Sequence, residues 1–169
     1  YLQAIKFKGD PNCYIDAGYV CLVTGDQIGA RQRCEESIAA GYLAFVAHYF
    51  LGYLADTQGD AREAQWQYYR VLELTSSADG VPLDDIHTLG YRALALVGLN
   101  RWEEGKALLG DLETKAGGSG EVLCNMARAW AVMGDRSRAR ELLSKAISAH
   151  MGPTEKEVAP DPHFISLRD

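Results

Sequence analysis

Histidines, cysteines and paired acids are the residues here that could do chemistry, and their spacing argues against it. His48, His87, His150 and His163 are scattered. None forms His-x-x-x-His or Glu-x-x-His, the spacings that set two metal ligands on one helical face. Cys13, Cys21, Cys34 and Cys124 include no pair at the short spacing of a zinc knuckle. They read as small buried thiols. A Cys21–Cys34 disulfide is geometrically open but unneeded, and reduced cysteine is the expectation. Asp84-Asp85 and Glu103-Glu104 are adjacent, so on a helix their carboxylates point apart and serve as caps or solvated faces. The stretch from Lys115 to Gly120 is glycine-rich but lacks the Gly-Lys-Ser/Thr of a phosphate loop. No nucleophile–base pair can be assembled, so the expectation is no enzyme, no cofactor and no metal.

What the residues do show is a recurring frame. Gly25-Asp26-x-x-x-Ala30, Gly59-Asp60-x-x-x-Ala64 and Gly134-Asp135-x-x-x-Ala139 share one pattern. The first two lie 34 residues apart. A degraded copy, Asn100-Arg101-x-x-x-Gly105, stands 34 residues before Gly134, so the longer gap is two periods plus seven residues. Each copy separates two helix-like segments. Glycine accepts the left-handed conformation that ends a helix, and Asn tolerates it. The aspartate caps the next helix and complements its dipole. The alanine marks where the second helix passes close to the first.

These bends predict paired helices over about 11–24 with 27–40, 44–58 with 60–75, 85–99 with 101–115, and 121–133 with 135–149. Ala64, Tyr68, Val71 and Leu72 form one buried stripe. Residues 75–85, rich in Ser, Gly, Pro and Asp, read as a loop that holds the extra seven residues. Arg136, Arg138, Arg140 and Lys145 read as a solvated face, with a patch for an acidic partner as the alternative. The chain of 169 residues can bury a core. Its net charge of −6 argues against nucleic-acid binding through this segment. No apolar run approaches the ~20 residues of a membrane span.

A 34-residue helix–turn–helix period resembles tetratricopeptide repeats. Leu51, Gly52, Gly59, Ala64 and Tyr68 match that family's pattern in register. Gly18, Gly25 and Ala30 match in the first copy, and Ala127, Gly134, Ala139 and Ala146 in the fourth. His48 stands where the family prefers Trp, and no copy carries the closing Pro. Cys21 and Cys34 fall on the family's core positions. The resemblance implies an all-α fold, a right-handed α-solenoid of about four helical hairpins with a C-terminal capping segment. Repeats would span about 11–43, 44–78, 85–117 and 119–151, within an array over 10–151. Residues 1–9 would end a preceding, truncated helix, and 152–169 would form the capping tail. Asp161-Pro162-x-Phe164-x-x-Leu167-Arg168 resembles the closing segment of such arrays in bacterial multi-domain regulatory proteins. Phe164 and Leu167 would cover the solenoid's end.

In this family the first helix of each hairpin lines a groove. The groove positions map onto Ile15, Tyr19, Tyr49, Tyr53, Asp56, Leu94 and Arg128. Ile15, Tyr19 and Phe50 replace the Lys and Asn residues of the carboxylate-gripping members, so the groove is expected to take an apolar or aromatic segment. Tyr19, Tyr49 and Tyr53 would supply contact area at low entropic cost, with Tyr49 and Tyr53 expected at the surface. The same residues could instead pack on a neighbouring repeat, another copy of the chain or the rest of the parent. The implied function is a cytoplasmic protein-interaction scaffold within a larger regulatory or signalling protein, binding a protein or peptide partner or self-associating. The alternative is a small-ligand-sensing domain of a transcription regulator or signalling enzyme.

Overall fold

The computed structural model describes residues 12–76, 85–115, 117–149 and 153–168. The expected helix end at 1–9 and loop positions 77–84 lie outside the described residues. Among the described residues the chain is all-helical. Its helices are α1 (Asn12–Val23), α2 (Gln27–Ala39), α3 (Ala44–Thr57), α4 (Ala61–Leu74), α5 (Ile86–Gly98), α6 (Trp102–Lys115), α7 (Gly120–Val132), α8 (Arg136–Ser148) and α9 (Glu155–Val158), followed by a 3-10 helix, Pro162–Leu167. The bounds of α1 to α8 fall within one residue of those expected from sequence.

The reason is local and repeats at each bend. Gly25, Gly59 and Gly134 have φ of +81°, +77° and +84°, and Asn100 has +58°. After each, the chain closes back on the helix it leaves. Asp26 N donates to Cys21 O (2.8 Å), Asp60 N to Ala55 O (2.9 Å), Arg101 N to Leu96 O (2.9 Å) and Asp135 N to Trp130 O (3.0 Å). These are the 6→1 bonds that satisfy orphan carbonyls at a helix end. The aspartates then start the next helix. Gly29 N donates to Asp26 Oδ1 (2.9 Å), Glu63 N to Asp60 Oδ1 (3.1 Å) and Arg138 N to Asp135 Oδ1 (2.9 Å). Asp85 caps α5 in the same way, through Thr88 N (2.8 Å) and Oγ1 (2.6 Å).

The chain divides into two compact units, Tyr1–Leu74 and Thr75–Asp169. In the first, α1 pairs with α2, α3 pairs with α4, and α3 also packs on α1 and α2. Its tightest approach is between α3 and α4. A Cβ on Gly52 would lie 2.7 Å from Cε1 of Tyr68 and 2.8 Å from Cδ1, so only glycine lets that ring lie flat on α3. Ala64, Tyr68, Val71 and Leu72 are buried, as the stripe requires, and Gln67 is buried with them. In the second unit α5 pairs with α6, α7 pairs with α8, and α5 packs on α7. The 3-10 helix lies against α7 and α8. Leu109, Leu112, Val122, Met126 and Leu142 are fully buried there. No helix among the described residues is long and apolar enough to cross a membrane.

Candidate functional site

Of the seven expected groove residues, Ile15, Tyr19, Tyr49, Tyr53 and Asp56 fall in the first unit, and Leu94 and Arg128 in the second. In the first, an aromatic row runs across α1, α3 and α4. Tyr19 stacks on Phe50, with centroids 5.9 Å apart and planes at 27°. Phe50 meets Tyr49 at 5.7 Å, and Tyr49 meets Tyr68 at 6.1 Å. The row ends on Asp56, whose Oδ2 accepts the Tyr68 hydroxyl at 2.8 Å. Burial, then the neighbouring Tyr49 and Asp56, pushes the Tyr68 hydroxyl upward, so it remains a donor.

Accessibility separates these residues. Tyr19 and Tyr53 are partly exposed and Asp56 is exposed. Tyr49 is only 2% exposed and Ile15 is buried. The expectation that Tyr49 offers a surface contact is therefore corrected: its ring is interior packing. The reason is Gly52, which lets Tyr68 sit deep on α3 and places Tyr49 between two other rings. In the second unit Leu94 is buried, a packing residue of α5 rather than an accessible contact.

Arg128 is also buried, and it already holds a carboxylate. Its Nε and Nη2 reach Oδ2 of Asp161 at 2.9 and 2.8 Å, and its Nη1 donates to Asn125 Oδ1 at 2.6 Å. Asp161 is fully buried. Its Oδ1 accepts the His163 backbone N–H (3.0 Å) and lies 2.7 Å from His163 Nδ1. Burial alone would raise the Asp161 carboxyl. Arg128 and His163 outweigh it and hold the group far below the usual carboxylate range. Sequence reasoning placed Arg128 as a contact but missed its partner 33 residues on. A usable signal existed: an arginine on the apolar side of a helix requires a buried counter-charge.

An Asp–His contact can orient a general base, but Cys124 on α7 is unsuited to be its nucleophile. Burial pushes the Cys124 thiol upward, against the pull of Arg128. Burial likewise raises Cys34 to about 12 and raises Cys21. These thiols stay protonated, whereas a reactive cysteine needs the thiolate. His48 is buried, and its Nδ1 lies 2.6 Å from Gln67 Oε1. Gln67 Nε2 donates to Glu63 Oε1 at 2.7 Å, so the Gln67 oxygen faces His48 and His48 Nδ1 carries the proton. Burial lowers the His48 imidazole, which packs edge-on to Trp66. Among the described residues no three His, Cys, Asp or Glu side chains are grouped to hold a metal ion.

The basic residues of α8 are largely committed. Arg138 pairs with Glu113 and Glu141, and Lys145 Nζ lies 2.6 Å from Glu141 Oε1. Arg140 Nη2 donates to Leu167 O at 2.8 Å. Exposed aromatic surface instead appears on α4 at Trp66 and Tyr69. The amphipathic period of α4 places both opposite the packed stripe. No protein-family model matches the chain, and no curated protein matches it significantly.

Proposed function

We propose that the chain is a set of tetratricopeptide-type hairpins forming a right-handed solenoid, and that it serves as a protein-binding module of a larger regulatory protein. The carrying observation is the bend. Four hairpins turn on a left-handed residue with the same 6→1 hydrogen bond, at Gly25, Gly59, Asn100 and Gly134. A shared local solution at a recurring 34-residue spacing is the mark of a repeat architecture. Gly52 against Tyr68 supports the reading, since both stand at matching positions of the family's pattern. Repeat folds present extended surfaces for partners.

The binding surface in this reading is made of Tyr19 and Asp56, the two accessible ends of the aromatic row, with the partly exposed Tyr53 of α3, which lies near Tyr68. Tyr49 and Phe50 support them from behind. The partner is a peptide segment with an apolar or aromatic side chain for the tyrosines and a donor for Asp56. Peptides selected from a displayed library against the purified chain test this. Selected peptides should lose binding to Tyr53→Ala and Asp56→Asn, while Tyr53→Ala melts within a few degrees of the parent and Asp56→Asn, which weakens the bond from the Tyr68 hydroxyl, remains folded at the assay temperature. Peptides that bind these variants as tightly as the parent would refute the surface. Tyr49→Ala is the contrasting control. As a buried aromatic it should cost about 3–5 kcal/mol of stability.

A further inference from the structure

The second unit holds one of its own segments as a receptor holds a ligand. The 3-10 helix presents Asp161 to the Arg128 guanidinium and buries Phe164 against the unit, at 3% exposure. We propose that Asp161–Phe164 is a ligand bound in cis. When it lifts, the site on α7 takes in trans a partner segment carrying an acidic side chain three residues before an aromatic ring. This deepens the reading of the chain as a peptide-binding module and rests on it.

Four observations carry the inference. First, the receptor half is organised on α7 itself: Asn125 Oδ1 accepts from Arg128 Nη1, which leaves Nε and Nη2 aimed at the carboxylate. A fixed guanidinium fork is how carboxylates are recognised with geometric selectivity. Second, the ligand half is locally shaped for display. Asp161 caps its own turn through the His163 N–H, Pro162 opens the turn, and Phe164, three residues on, is buried as Asp161 is. Third, the hold is concentrated in Asp161, His163 and Phe164, which are buried, and the rest of the segment adds little to it. The segment is a six-residue 3-10 helix, longer than such helices usually run. Ile165, Ser166 and Arg168 are exposed, and Arg140 adds only bonds to the Leu167 carbonyl. Segments of this kind open locally at lower cost than core helices. Fourth, lifting it returns Asp161 and Arg128 to water together. The heavy penalty of a buried charge left alone is then avoided.

The test uses the full chain and a labelled peptide with the sequence of residues 158–168. A tethered segment competes at an effective concentration on the order of mM, so the peptide at about 100 μM should not bind the parent chain. The variant Asp161→Asn, Phe164→Ala weakens the cis ligand, and it should bind the peptide at least ~10-fold more tightly than the parent. Adding Arg128→Gln should remove that gain. Hydrogen exchange on the unaltered chain gives a second readout: amides of Glu155–Val158 and His163–Leu167 should exchange at least ~10-fold faster than those of α7. An opened variant that keeps its helicity yet binds no peptide overturns the proposal. So does a variant in which α7 and α8 melt with the tail, or tail amides that exchange only with α7. If these results fail while Tyr53-dependent capture persists, the cis ligand is wrong and the module stands. The reverse outcome would remove the Tyr53 surface and leave the Arg128 site.

Discussion

Replacing Gly52 and Gly110 by alanine makes one chemical change at two helix-interior sites, and the structure predicts opposite signs. Gly110 is exposed on α6, and a Cβ there meets nothing within 4 Å. Gly110→Ala should therefore gain the helix-propensity difference, about 1 kcal/mol. At Gly52 the same gain is opposed by contact. The new Cβ would lie 2.7 and 2.8 Å from two ring carbons of Tyr68 and 3.2 Å from a third. The ring cannot simply swing aside. It is 2% exposed, packed on Tyr49, and tethered through its hydroxyl to Asp56 at 2.8 Å. Forcing a methyl into a packed core costs about 1–3 kcal/mol, and loss of a hydrogen bond to a carboxylate adds about 1.5–3 kcal/mol. After the propensity gain, Gly52→Ala should destabilise by about 1.5–5 kcal/mol. The two variants should thus differ by about 2.5–6 kcal/mol. Urea unfolding followed by circular dichroism reads this as midpoints moving in opposite directions at constant slope. A cycle isolates the cause: in a Tyr68→Ala background, Gly52→Ala should become neutral or stabilising. If Gly52→Ala stabilises the parent as Gly110→Ala does, Tyr68 does not sit on Gly52, and the packing of α4 on α3 is wrong.

The bends offer a second prediction. Gly59→Ala meets no neighbour but forces a side chain to φ +77°, so it should cost about 1–2 kcal/mol, whereas Asn100→Gly should stabilise by up to about 1 kcal/mol, both read as urea midpoints. A third concerns His48, whose folded value is lowered by burial, so the unfolded chain binds its proton more tightly. The contribution of His48 is then fully present above the unfolded value near pH ~6.5 and is lost as pH falls through the folded value; the melting temperature of the parent should drop more between those limits than that of His48→Gln, and equal drops would exclude a buried neutral imidazole.

The α1 to α8 boundaries were legible in the residues because their causes are local. A glycine that alone accepts a positive φ at no cost, followed by an aspartate that reaches the amide three residues on, acts within one turn of chain. Asn100 could be read as a bend for the same reason, since a short amide side chain tolerates that conformation. That His48 stands at a position the repeat pattern fills with Trp was legible, although its partner Gln67, across the hairpin, was not.

The site needed the third dimension. Whether Tyr49 faces water or a neighbouring ring depends on how deeply α4 settles on α3. That depth is decided by the absence of one Cβ at Gly52 opposite a ring sixteen residues later. The fate of Arg128 depends on a segment 33 residues away folding back to deliver Asp161. Local rules place a side chain on a helix and tell which way the helix turns. Burial, pairing and charge state are set by what distant chain arrives against it. Residue order thus determined the hairpins and their period, and only tertiary packing decided which expected contacts remain accessible and which are already taken.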